Sequence, residues 1–230
     1  MILRWFKQGL VAFGEILPDK VIHQFQMIVQ YLRLGRWMKN HGYQFPKRVR
    51  SRDQVFATVA SEFQEKRVLY LEFGVYRGSS MRWWSAALKN PASNLLGFDS
   101  FEGLPEDFDD AGGKYAKGWF STEGQIPKVA DSRVKFIKGW FENTLPHYHL
   151  PDYDVLVINL DADLYSSTIY VLRQMRPYIR EGTYLYLDDM SRPDHEPRAF
   201  DEFMKESGLK FRPLAADVTL NNTFFLCEGK

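Results

Sequence analysis

Two acidic clusters stand where apolar runs end. Asn159-Leu160-Asp161-Ala162-Asp163 closes one run, and Asp188-Asp189 closes the next. If both runs are neighbouring strands, their carboxylates converge at the carboxyl edge of a sheet, where open α/β sheets bind ligands. Side chains at i and i+2 of a strand share a face, so Asp161 and Asp163 are expected to point the same way. Crowded carboxylates repel one another and do not all ionise without counter-charge. Oxygen donors with no cysteine nearby suit a hard divalent cation such as Mg²⁺, Ca²⁺ or Mn²⁺. The plainer alternatives are that Asp163 caps the next helix and that Asp189 stands exposed in a turn.

A second constellation is Glu72-Phe73-Gly74-Val75-Tyr76-Arg77-Gly78-Ser79-Ser80, where an apolar run gives way to a helical pattern. Gly74 lets backbone and ligand approach closely, and the helix start offers free N–H groups. The spacing is neither the dinucleotide fingerprint nor the phosphate loop. Glu72 would repel a phosphate but welcome an ammonium or sulfonium. The alternative is a tight strand–helix turn without a ligand. Asp99 follows Gly74 by 25 residues at the end of the next run. An acid there is placed to accept hydrogen bonds from ribose hydroxyls, or else caps its own turn. Trp140 and Phe141 either wall an adenine or pack in the core. His195, close after the second acid pair, is a candidate extra ligand or base. His147 and His149, in a proline-flanked loop, are weaker candidates.

These residues need elements to hold them. Apolar runs at VLYLEFGV (68–75), LLGFDS (95–100), RVKFIKG (133–139), DVLVINLDAD (154–163) and TYLYLDD (183–189) read as strands. Helical patterns cover Ser79–Leu88, Ser166–Ile179 and Arg198–Ser207, and Ser51 with Gln54 reads as a capping box that starts a helix running to about Glu65. Residues 101–127 read as a long loop or lid carrying Trp119 and Phe120. Alternating strands and helices imply a mainly parallel sheet. The last two strands, Leu209–Pro213 and Thr219–Cys227, are joined too closely for a parallel crossover and must form an antiparallel hairpin. The expected fold is therefore a Rossmann-like α/β sheet of seven strands with a reversed terminal hairpin.

Two stripes precede this body. Ile2, Leu3, Phe6, Leu10, Phe13 and Leu17, then Val21, Ile22, Phe25, Ile28, Val29 and Leu32, recur at helical spacing. A core or dimer face is the first reading of each; a lid or a membrane-surface helix is the other. Residues 35–50 read as a basic loop. Residues 1–52 hold ten Lys/Arg against two acids, whereas residues 53–230 hold 20 against 27, although the whole chain has a net charge of only +1. That asymmetry points the N-terminal part at something anionic: a phosphate, a membrane face or the acidic body itself.

Composition narrows the class. With 45% hydrophobic and 26% charged residues the chain is neither disordered nor fibrous. One cysteine, Cys227, excludes an internal disulfide framework and a Cys-rich zinc site, and favours a reducing compartment. No run of about 18 apolar residues spans a bilayer, and the charge-broken N-terminus is a poor signal peptide. The expectation is a cytoplasmic protein. Nothing in the charge balance calls for nucleic acid.

Five motifs in order, Glu72–Ser80, FDSFEGLP (98–105), GWFENTLP (139–146), LDADLYSST (160–168) and Leu187-Asp188-Asp189, resemble the macrocin O-methyltransferase family over about residues 48–228. The resemblance implies a class I fold and an S-adenosylmethionine-dependent, Mg²⁺-assisted enzyme acting on sugar hydroxyls. It implies that Glu72, Tyr76 and Ser80 lie along the methionine part of the donor and that Asp99 and Ser100 hold its ribose. It further implies that Asp161, Asp188 and Asp189 bind the metal, with Asp161 as base. The family more often has glycine where this chain has Ala162. On this reading residues 53–230 are the methyltransferase domain and residues 1–52 a basic helical extension serving as lid, dimer or docking segment. The acceptor is a small molecule or glycan, and a homo-oligomer or peripheral membrane contact is open to the extension. The rivals are a glycosyltransferase using Asp161-Ala162-Asp163 as its metal pair, a phosphohydrolase, and a non-catalytic membrane-associated module.

Overall fold

The computed structural model describes residues 2–45, 47–110 and 113–230; Met1, Pro46, Ala111 and Gly112, the last two inside the expected loop 101–127, lie outside the described residues. The chain opens with helices α1 (Ile2–Ile16) and α2 (Asp19–His41), a short strand β1 (Lys47–Val49) and helix α3 (Arg52–Ala60). Strand β2 (Val68–Phe73), helix α4 (Ser79–Ala87) and strand β3 (Asn94–Asp99) follow. Strands β4 (Phe108–Asp110) and β5 (Gly113–Tyr115) form a separate two-stranded ribbon. Next come β6 (Val134–Lys138), the single helical turn α5 (Phe141–Thr144), β7 (Val155–Leu160), α6 (Tyr165–Met175) and β8 (Tyr184–Leu187). Helix α7 (Glu196–Ser207), β9 (Lys210–Asp217) and β10 (Thr223–Gly229) end the chain.

The main sheet runs β1-β9-β10-β8-β7-β2-β3-β6. Only β10 is reversed, antiparallel to both β8 and β9. The expected terminal hairpin is therefore present, bulged at Phe224/Phe225 and Cys227/Gly229. The sheet has eight strands where the sequence reading counts seven. The extra one, β1, pairs with β9 in parallel from within the stretch read as a basic loop. Three residues with the burial of an edge carry no strand pattern, so only pairing reveals them. Helix α2 likewise runs through basic residues to His41 and ends on Gly42, whose left-handed φ of 66° closes it.

Central strands β2 and β7 are buried throughout. The pleat sorts their side chains: Leu69, Leu71 and Phe73 face a core built with α6, α7 and the second half of α2, while Val68 and Tyr70 face one built with α3 and α4. Ser51 caps α3 by accepting from the Gln54 N–H at 3.4 Å, and the Gln54 side chain accepts from the Arg50 N–H at 2.9 Å. The helix stops at Ala60, earlier than its pattern suggests, and turns fill residues 61–65. The apolar stripe of α1 does not enter the core: every large apolar side chain described from Leu3 to Ile16 is exposed.

Candidate active site

Sheet register lines up the tips of four adjacent strands. Leu160 of β7 pairs with Leu187 of β8, so Asp161 and Asp188 are the next residues on adjoining strands. Phe73 of β2 pairs with both Leu160 and Phe98, which brings Gly74 between Asp161 and Asp99. The row Asp188, Asp161, Gly74, Asp99 is stitched by backbone bonds: Asp188 N–H donates to Leu160 at 3.1 Å, Asp161 N–H to Phe73 at 3.0 Å, and Gly74 N–H to Phe98 at 3.0 Å.

Gly74 has a φ of 94°, and a β-carbon there would lie 1.8 Å from the Asp161 carbonyl oxygen. The glycine is thus required by the neighbouring acid strand, a tighter constraint than the ligand approach inferred from sequence. Asp99 accepts from the N–H groups of Val75 at 2.7 Å, Tyr76 at 2.8 Å and Phe101 at 2.6 Å. It locks the turn after β2 to the turn after β3, so the turn-capping role is real, and it still faces the cavity.

That cavity, about 510 Å³, opens above the row. The ten residues that the sequence reading gives to donor, metal or base line it: Glu72, Gly74, Tyr76, Ser80, Asp99, Ser100, Trp140, Asp161, Asp188 and Asp189. Ser80 is buried in the first turn of α4. The Ser100 hydroxyl accepts from Glu102 N–H at 3.0 Å and so shapes its own turn. Trp140 precedes α5, and Phe141 both lines the cavity and meets Phe73 edge-on at 5.8 Å. His147, His149 and His195 do not line it. His195 instead sets its ring edge-on against Phe108, 4.6 Å between centroids.

The acid corner is electrostatically tense. Burial, then repulsion from Asp188, Asp163, Glu196 and Asp189, holds the Asp161 carboxyl well above the usual carboxylate range. Burial and Asp189 push Asp188 up to about 6, against the pull of Tyr186 and Arg52. Burial raises Asp189 to about 7 although Arg192 pulls it down. On the cavity's other flank burial lifts Glu72 to about 8, against the hydrogen bond it accepts from the Tyr70 hydroxyl at 2.7 Å.

Two expectations change here. Strand β7 ends at Leu160, and Asp163 adopts a left-handed φ of 57°, so strand pleating does not govern where it points. Nor does Asp163 cap α6, whose preceding residue is Leu164. Among the described residues no three His, Cys, Asp or Glu side chains are gathered into a ready-made metal cage. Arg192 reaches Asp189 at 2.8 Å and Asp163 at 3.4 Å. The donor set is all oxygen and short of positive charge, which fits a hard cation in kind, while its spacing does not enclose one. Ala162 lies outside the left-handed region and is buried, so its methyl is accommodated.

Sequence reasoning missed the residues that hold the aspartates. Asn222 donates to Asp188 Oδ1 at 2.9 Å, Tyr186 to the same oxygen at 2.5 Å, and Asn221 to Asp189 Oδ1 at 3.3 Å. Buried Glu196 accepts from the Asp189 N–H at 3.0 Å. Arg52 enters from the start of α3, 4.0 Å from Asp188. The spacing of Tyr186 two residues before Asp188 is readable in sequence; the asparagine pair falls inside the stretch Thr219–Cys227 that reads as the last strand.

The expected lid is ordered. Leu104 N–H donates to Trp119 at 2.9 Å and Gly118 N–H to Leu104 at 2.9 Å. Phe120 lines the cavity and meets Tyr76 edge-on at 5.7 Å. Trp119 stands exposed and does not line it.

The family model for macrocin-O-methyltransferase (TylF) matches residues 46–224 of this chain. The chain belongs to this family. It is an S-adenosylmethionine-dependent O-methyltransferase with the class I fold. No curated protein matches its sequence. Among solved structures it is similar to the calicheamicin methyltransferase CalS11, with a TM-score of 0.55 and 20% identity over 76% of each chain. It is also similar to the O-methyltransferase NovP, with a TM-score of 0.54 and 24% identity over 76% of this chain and 77% of that one. An O-methyltransferase from Bacillus cereus in complex with SAH matches with a TM-score of 0.50 and 14% identity over 100% of both chains. At these identities the likeness is one of fold.

Proposed function

We propose that the cavity methylates a hydroxyl of a sugar or glycosylated small molecule. The observation that carries this reading is the register-aligned row: it puts a glycine turn, suited to a cationic donor, one strand away from an acid pair suited to readying an alcohol. Glu72, Gly74, Tyr76 and Ser80 would cradle the methionine portion of the donor. Asp99 and Ser100 would hold the ribose on the oxygen lone pairs their turns leave spare, and Trp140 would wall the adenine. The sulfonium donor supplies an activated methyl group. The protein's task is to hold the acceptor oxygen in line with it, at about 3–3.5 Å before attack.

A sugar hydroxyl is a poor nucleophile at neutral pH, and burial, with repulsion from its acidic neighbours, holds the Asp161 carboxyl well above the usual carboxylate range. Asp161, Asp188 and Asp189 would hold Mg²⁺. When bound, Mg²⁺ supplies the charge that lets these carboxylates ionise and acidifies an adjacent hydroxyl. Asp161 would then accept the hydroxyl proton as general base. Phe120 and Tyr76 would exclude water from the donor side. The sugar class of acceptor agrees with the family description and with CalS11, described as a TDP-rhamnose 3′-O-methyltransferase. A reduced, buried Cys227 agrees with a cytoplasmic setting.

Calorimetry with S-adenosylmethionine, followed by mass spectrometry of candidate glycosides with and without Mg²⁺, tests the reading. Donor binding and gain of one methyl group per acceptor are expected. Silence with the donor would overturn it.

A further inference from the structure

We propose that the N-terminal helices seat the protein on an anionic lipid surface, lying in the bilayer interface without crossing it. Of the nineteen large apolar side chains exposed among the described residues, thirteen lie between Leu3 and Leu32. Such a concentration marks a surface that is covered in use. On α1 the apolar side is wide: Leu3, Phe6, Leu10 and Phe13 form its centre, with Trp5 and Ile16 flanking, 72% and 76% exposed. The opposite arc carries Arg4, Lys7, Gln8 and Glu15. Aromatic and leucine side chains on one face with basic residues on the other are the signature of an interfacial helix.

Helix α2 continues the surface and ties it to the body. Its second half is anchored: Leu34 and Met38 are buried in the core, Arg33 pairs with Asp194 at 2.7 Å, and His41 meets Asp201 at 3.0 Å. Its first half exposes Phe25, Ile28, Val29 and Leu32, one stripe at helical spacing. The apolar surface thus begins where the anchored part ends. No helix among the described residues is long and apolar enough to cross a membrane.

Charge chooses among possible occupants. Residues 1–32 hold Arg4, Lys7 and Lys20 against Glu15 and Asp19, and residues 33–52 add seven Lys/Arg and no acid, two of which, Arg33 and Arg52, face Asp194 and Asp188; the remaining chain carries an excess of acid. An anionic bilayer attracts the basic segment and repels the acidic remainder, which orients the molecule helix-side down.

Co-sedimentation of the full chain with vesicles of phosphatidylcholine containing about one-third phosphatidylserine tests the proposal. Binding roughly tenfold or more tighter than to pure phosphatidylcholine is expected, weakening as salt rises from about 0.1 to 0.5 M. The F6E/F13E double variant should lose that binding while keeping the wild-type melting temperature and turnover with a water-soluble acceptor. Arg4→Glu with Lys7→Glu should weaken binding to anionic vesicles only. Failure of the wild type to bind, or binding indifferent to F6E/F13E, overturns the proposal. So does a wild-type dimer in sedimentation velocity that F6E/F13E separates into monomers, because a second copy would then be the cover.

Discussion

The strand-tip row and the N-terminal helices are built on opposite terms. Beside the cavity, half-buried and buried carboxylates are held by named partners: Asp99 by three N–H groups, Asp188 by Tyr186 and Asn222, and the neighbouring Asp189 by Asn221 and Arg192. Between Leu3 and Leu32 thirteen large apolar groups are exposed, and only the second half of α2 enters the core. The row stores unfavourable electrostatics inside a rigid sheet, so that a ligand is what relieves it. The helices store unfavourable hydration on a surface, so that a cover is what relieves it. Function in this molecule sits at both places where folding alone leaves the physics unsatisfied.

Mutation can break that contrast from the rigid side first. Gly74→Ala is expected to be the most damaging change, because its methyl would meet the Asp161 carbonyl at 1.8 Å in a backbone region closed to alanine. A loss of more than about 4 kcal/mol, or no folded protein, should appear in thermal melts. Asp161→Asn should lower turnover roughly 10²–10⁴-fold while calorimetry finds donor affinity little changed. Asp188→Ala should abolish stimulation by Mg²⁺ with donor binding intact; full activity in that variant, or in excess chelator, would remove the metal from the scheme.

Acidity sharpens the comparison. Glu72, Asp188 and Asp189 bind protons more tightly folded than unfolded, with folded values of about 8, 6 and 7. Folding therefore takes up protons above about pH 4, where unfolded carboxyls ionise. Their contribution to stability is full below that pH and is lost as pH rises through 6 to 8. Melts of the metal-free protein should show a falling transition across that window, and Glu72→Gln should flatten its upper part by roughly 1–3 kcal/mol. The helices should show the smallest effect: Leu10→Ala, at an exposed site, is expected to shift stability within about 0.5 kcal/mol, where Leu71→Ala in β2 costs about 2–5 kcal/mol.

The row was legible in sequence because it needs only strand ends and their order: Gly74, Asp99, Asp161 and Asp188 each close an apolar run. Less legible was whatever depends on pairing across distance. Strand β1 is basic and three residues long, and the β4/β5 ribbon sits inside a stretch rich in turn formers. Asn222 and Glu196 act through backbone and side-chain bonds to residues 34 and 7 positions away, with no motif of their own. The α1 stripe was readable as a helix, but periodicity is the same whether a face meets a core, a copy or a lipid.

Gly103 bears on how Phe120 is held at the cavity. A β-carbon there would strike the carbonyls of Gly118 and Trp119 at 2.4 Å, and Gly124 N–H returns to Phe101 at 2.8 Å, so the segment's two ends are clasped together. The described ends of the segment therefore hold each other's backbone in place. Phe120, between those ties, is thereby held beside Tyr76 at the cavity.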